Sequence, residues 1–217
     1  LLDLPRIQVP ASEFDAPTEA MTSALPLLYQ AGYLTIKDFD FYGNIYTLDF
    51  PNAEVKVGFL DNFLSAMMGI YNSGSQGFAG NFYVALRNHD LEKAMQLMQA
   101  FFAKIPYLEY GEKELDDITK YEAYYQVLTY VVFSIFNCRT YTEVKSARGR
   151  TDLVVFMPDA IYVMELKMHG TADEALAQID SKDYAIPYQA DGKPIVKIGM
   201  AFSKETKTLA DWKVVQS

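Results

Sequence analysis

A chain of 217 residues, half of them hydrophobic and 22% charged, has ample material for one large core or two small ones. No apolar run reaches the roughly 18 to 20 residues of a membrane-spanning helix, and the start lacks the basic and apolar segments of a secretory leader, so a cytoplasmic protein without a membrane partner is expected. The net charge of −9 counts against a nucleic-acid partner, but its distribution reverses that inference for the second half: residues 1–118 hold 7 Lys+Arg against 16 Asp+Glu, while 119–217 hold 12 of each.

Residues 1–20, rich in Pro, Asp, Glu and Ala without periodicity, read as an extended arm or linker. Because the chain begins at Leu1 inside this stretch, it reads as a piece of a longer polypeptide. A short helix is predicted over 21–31, stopped by Gly32, and β-prone runs at 33–37 and 45–50 flank a turn containing Gly43 and Asn44. Helix then hairpin is a winged-helix-like outline, common and weakly specific. Helical spacing of apolar residues predicts further helices over 52–71, 78–86 and 91–102, the first two separated by the Gly/Ser stretch 72–77. The stripe Leu91, Ala94, Met95, Met98 and Phe102 reads as core rather than a cofactor box. Residues 21–118 thus read as a mostly helical domain, ending in Pro106 and an acidic bridge over 109–117.

From 119 the pattern changes. Residues 120–136 form a helix apolar nearly all round, suited to packing on a sheet. The one cysteine, Cys138, excludes an internal disulfide and reads as a small buried side chain. Strands are predicted at 139–144, 152–156 and 160–167, then a helix over 172–183 opened by Thr171 and Glu174 in capping-box spacing. Strands at 195–202 and 212–215 close an α/β domain over 119–217.

The chemistry concentrates in that domain. On an alternating strand, Glu165 and Lys167 project to one side and Leu166 to the other. Asp152 heads an otherwise apolar strand, a costly position unless something pairs with it. A turn near Pro158 and Asp159 brings Asp152 across the ladder from Glu165. Two adjacent carboxylates repel, and a divalent cation is the usual relief. Hard Mg²⁺, held by one or two carboxylates with several retained waters, suits the pair, and Mn²⁺ would serve similarly. Lys167 would orient or deprotonate the attacking water and stabilise a pentavalent phosphate. A cross-strand salt bridge produces the same Glu-x-Lys pattern, so the tripeptide alone decides nothing.

The blocks Glu122-Ala-Tyr-Tyr-Gln126, Gly149-Arg-Thr-Asp152, Glu165-Leu-Lys167, Ala175-Leu-Ala-Gln178-Ile and Tyr184 occur in order and without large gaps. Over 121–212 the chain resembles the PD-(D/E)XK nuclease-superfamily domain found at the C-terminus of bacterial proteins with an AAA-like ATPase region. The resemblance implies a restriction-endonuclease-like mixed sheet flanked by helices, and hydrolysis of phosphodiester bonds in nucleic acid, DNA ahead of RNA. Asp152 and Glu165 would be metal ligands, joined by the backbone carbonyl of Leu166, with Lys167 as the catalytic lysine. Glu122 looks like the first acidic motif, although the helix dipole alone accounts for a Glu there. Gln178 and Lys182, at i and i+4, would reach the site or a phosphate; a solvated helix face is the alternative. Residues 21–70 resemble the segment joining ATPase to nuclease, and an upstream ATPase region is the expected partner. The chain has no G-x-x-x-x-G-K-[ST] loop, so ATP hydrolysis is not expected of it.

His89 and His169 lack the spacing of a zinc site. Arg148, Arg150 and Lys145 precede Asp152, where phosphate contacts would place a scissile strand, or where ordinary loop solvation would put them. The rival to an enzyme is a binding or regulatory module that keeps the nuclease fold without cutting, a reading favoured by the acidity of residues 1–118. A winged-helix DNA-binding role for 21–50 is opposed by Asp38, Asp40 and Asp49.

Overall fold

The computed structural model describes residues 7–14, 24–67, 74–105, 118–136, 138–203, 205–206 and 208–216; for 67, 74–76 and 118–123 it describes the backbone alone. Its contacts divide the chain into Leu1–Leu60 and Asp61–Ser217. The helices over 74–87 and 91–104 fall in the second unit, with its sheet and aromatic core.

In the first unit, Pro26 sits in the opening turn of helix α1 (Leu25–Gln30), where its missing N–H removes no helical bond. Gly32, at φ +78°, ends the helix, and Tyr33 N–H then donates back to Leu28 O at 2.9 Å. This is the left-handed stop expected of glycine. The segment read as an arm is extended at strand β1 (Ile7–Val9). Strands β2 (Thr35–Asp40) and β3 (Ile45–Asp49) form the expected hairpin. Rather than standing free, β1 pairs antiparallel with β3, giving the order β1-β3-β2. Val9, Phe14 and Leu48 form its small core, with Tyr29 and Tyr46 against it.

Helix α2 (Ala53–Met67) carries the division between the units. Helix α3 (Gly74–Arg87) begins inside the Gly/Ser stretch expected to separate two helices. Phe78 explains the extension: it stacks on Phe82 and on Phe101, so tertiary packing overrides the weak local propensity. Asp90 caps helix α4 (Leu91–Lys104) through Lys93 N–H at 3.0 Å, and the predicted stripe is buried together with Phe101. Phe102 meets Tyr125 and Phe202, and Gln99 Nε2 donates to Leu209 O at 2.9 Å.

Helix α5 (Ile118–Ser134) leads into strands β4 (Arg139–Ser146), β5 (Gly149–Phe156) and β6 (Ile161–Lys167). Helix α6 (Ala172–Ser181) and strands β7 (Ile195–Ser203) and β8 (Thr208–Gln216) complete the chain. The sheet runs β4-β5-β6-β7-β8, antiparallel except for the parallel β6–β7 pair that α6 connects. This is the mixed α/β sheet with flanking helices expected of a restriction-endonuclease-like domain. Val154, Ile161 and Val163 pack with Leu176 and Ile179 of α6, and Tyr162 meets Phe133 of α5. No helix among the described residues is long and apolar enough to cross a membrane.

Thr171 and Glu174 close the predicted capping box, which fixes where α6 starts. Gly199 fixes how closely α6 lies on the sheet. A Cβ there would collide with the Ala172 carbonyl and meet Ala175 Cβ and Leu176 Cγ at 3.1 Å. Gly199→Ala should therefore cost about 1–3 kcal/mol of stability through forced displacement of the helix. In urea denaturation it should lower the midpoint more than Gly32→Ala, whose Cβ meets nothing within 4 Å and costs only backbone strain. Equal losses at both positions would show that α6 does not depend on this close approach.

Candidate active site

Leu153 pairs with Met164 and Val154 with Val163, so the next positions along the strands set Asp152 beside Glu165. Both carboxylates stand on the face that α6 covers. The β5–β6 ladder ends at Leu153, and the Asp152 side chain takes over the next ladder donor: Leu166 N–H donates to Asp152 Oδ2 at 2.8 Å. That bond supplies the partner the sequence required for a carboxylate heading an apolar strand.

Glu165 is 2% exposed. Its Oε1 accepts a hydrogen bond from Gln178 Nε2 and lies 3.5 Å from Lys167 Nζ, while Lys167 Nζ donates to Gln178 Oε1. The carboxamide of α6 thereby ties the acid and the amine of β6 together. Gly199 makes this possible, because it pairs with Glu165 in the β6–β7 ladder and leaves room for α6 at that point. Among the described residues, Glu165 Oε2 is buried without a hydrogen-bond partner. Burial, and next the negative charge of Asp152, push the Glu165 carboxyl up to about 8, against the opposing pull of Lys167 and the Asp152 backbone N–H.

These donors fit a hard divalent cation. Two carboxylates meet at one face, and one holds a buried oxygen with no proton donor to satisfy it. Among the described residues no group of three or more His, Cys, Asp and Glu is gathered. Two carboxylates are oxygen donors of the kind a hard divalent cation takes.

The structure brings Asp152, Glu165, Lys167 and Gln178 together. Leu166 buries its side chain and commits its N–H to Asp152. Glu122 lies one turn before Gln126 in α5, and its side chain falls outside the described residues. Lys182 caps the C-terminal end of α6 and is exposed, so the face it shares with Gln178 is solvated there. Arg148 pairs with Asp183 and Arg150 with Glu143, so both arginines meet acids; Lys145 is exposed. His169 is exposed, and His89 lies 3.2 Å from Asp159. Cys138, expected to be buried, is half-buried beside Met157 Sδ.

Two polar residues near the site carry no role that the sequence revealed. Gln126, 6% exposed on α5, donates through Nε2 to both Glu143 Oε1 at 2.9 Å and Asp152 O at 3.1 Å. Its presence in a helix apolar nearly all round was the available signal. Glu143 carried none. Tyr184, present in the sequence motif, is buried and accepts the Arg150 N–H at 3.1 Å, which pins the β4–β5 turn to the chain after α6.

Residues 120–212 match the family model described as the PD-(D/E)XK nuclease superfamily. The whole chain aligns at 32% identity with the "Uncharacterized protein in vnfD 5'region" of Azotobacter chroococcum mcd 1, spanning 43% of that relative's length. No solved structure matches the chain. The matched segment runs from within α5 to within β8 and contains every residue gathered at the site, and its similarity to that superfamily suggests metal-dependent nuclease activity.

The Glu165 carboxyl sets a pH dependence whose sign follows from proton counting. An unperturbed Glu ionises near 4.5, whereas the folded, metal-free protein retains this proton up to about 8. Between those values the unfolded chain binds fewer protons, so this group's contribution to stability falls as pH rises and levels off above the upper value. In thermal denaturation with a chelator, wild type should lose midpoint temperature between pH 5 and 8 more steeply than Glu165→Gln. Parallel slopes for the two proteins would mean that Glu165 is ionised in the fold throughout.

Proposed function

We propose that the Asp152 site hydrolyses phosphodiester bonds in nucleic acid, DNA ahead of RNA, with Mg²⁺ or Mn²⁺ as cofactor. The observation that carries the reading is the convergence of Asp152, Glu165 and Lys167 on one face, with a buried carboxylate oxygen of Glu165 that has no partner among the described residues. Asp152 and Glu165 would hold the ion, with the Leu166 carbonyl as a further ligand. When bound, the ion supplies Lewis acidity at a phosphate oxygen and acidifies water. Lys167 orients the attacking water and offsets charge on the pentavalent phosphate. Gln178 keeps the lysine amine and the Glu165 carboxylate at a fixed separation, so neither swings away when substrate enters. Glu122, on the helix one turn from Gln126, is the further acidic residue of the motif.

Burial of Glu165 on the sheet suits this role, because charged groups act more strongly where water is excluded. The even charge balance of residues 119–217 is also compatible with approach to a polyanion, since ion binding would leave that region net positive. The relative's greater length leaves room for an upstream ATPase region, the partner that the resemblance implies. A non-cleaving module is the second reading, favoured by Arg148 and Arg150 both being paired with acids rather than offered to phosphates.

Incubation with plasmid and single-stranded DNA in Mg²⁺ or Mn²⁺ separates the two. Asp152→Ala and Lys167→Ala should each lower cleavage by about a hundredfold or more, as expected for losing a metal ligand or a transition-state charge. Mn²⁺ should raise the melting temperature of the wild type, and Asp152→Ala should abolish that rise. Binding without cleavage would favour the silent module, and cleavage that survives both substitutions would place the chemistry elsewhere.

A further inference from the structure

Strand β4 contains a residue in a conformation that L side chains avoid: Glu143 has φ +56°. Such strain persists only where the surroundings hold it, and it gathers at functional sites. Here it falls opposite Asp152. The β4–β5 ladder pairs Thr142 with Leu153 and Val144 with Thr151, and no pairing joins Glu143 to Asp152 between them. Val144 packs against the cluster beneath α6, while the Glu143 carboxylate reaches Gln126 on α5.

At that interruption the Gln126 carboxamide takes over. One amide nitrogen donates to Glu143 Oε1 at 2.9 Å and to Asp152 O at 3.1 Å. A carboxylate and a backbone carbonyl only accept hydrogen bonds, so Glu143 and the Asp152 carbonyl together fix which way the carboxamide faces. The Arg150 Nε on Glu143 Oε2 anchors the other end. Asp152 is consequently held through its carbonyl by Gln126 and through its carboxylate by Leu166 N–H.

Resting on the nuclease reading of this site, we propose that Glu143, acting through Gln126, is the positioning residue that sets the Asp152 carboxylate for ion binding. Its left-handed backbone gives up one ladder pair to turn a fixed acceptor toward α5. The strand then carries Asp152 at a set depth, and supporting contacts of this kind govern the affinity of an ion's direct ligands.

The test uses the full chain with Glu143→Gly, which adopts positive φ without strain but lacks the acceptor, Gln126→Ala, and Glu143→Gln, which keeps an accepting oxygen. Leu166 amide exchange, normalised to Val163, reads Asp152 placement without any ion; Mn²⁺ titration reads its consequence. Glu143→Gly and Gln126→Ala should speed Leu166 exchange about tenfold and weaken Mn²⁺ binding by about tenfold or more. Glu143→Gln should restore both. If Glu143→Gly does not fold, Gln126→Ala carries the same comparison. Normal Leu166 exchange in a folded variant lacking either group overturns the proposal whatever Mn²⁺ does. A wild type that ignores Mn²⁺ while the Leu166 effect persists supports the positioning and removes the nuclease reading instead.

Discussion

A carboxylate buried beside a second carboxylate is the constraint on which the rest of this domain depends. Glu165 sits almost fully inside the protein with the half-buried Asp152 as its cross-strand neighbour, so water screens Glu165 little. Left alone, the pair would favour protonation, which is why the Glu165 carboxyl is pushed so far up. The surrounding structure offsets this only in part. Gln178 and Lys167 serve one oxygen of Glu165, Leu166 N–H serves Asp152, and no described residue serves the second oxygen of Glu165.

Much of the architecture can be understood as keeping that arrangement rigid. Gly199 lets α6 come down onto the sheet at the level of Glu165, and the Thr171–Glu174 capping box sets the helix register so that Gln178 falls over the acid–amine pair. Tyr184 ties the β4–β5 turn to the chain after α6. On the other face, α5 supplies Gln126 beneath the strand that carries Asp152. Each face of the sheet contributes one carboxamide, Gln126 to Glu143 and the Asp152 carbonyl, and Gln178 to Glu165 and Lys167. A glutamine suits both places because it donates and accepts from one planar group without adding charge to a buried site.

The arginines before Asp152 show how tertiary context redirects a motif. In the sequence they read as phosphate contacts, yet Arg150 secures Glu143 and Arg148 pairs with Asp183. Their positive charge is engaged by acids of the protein itself.

By itself the sequence determined the elements of the second half in their order, the buried stripe of α4, the capping box of α6, and the meeting of Asp152, Glu165 and Lys167. All of these follow from local periodicity: a strand alternates, a short turn sets register, and a helix repeats every few residues. The division at Leu60/Asp61, the start of α3 inside a glycine-rich stretch, and the pairing of β1 with β3 were decided only by packing between segments distant in the chain. The same holds for Gln126, Glu143 and the partners of the arginines. Their roles depend on one backbone angle and on which helix lies beneath which strand, and hydrophobic spacing encodes neither, because both arise only when sheet and helices close around one another.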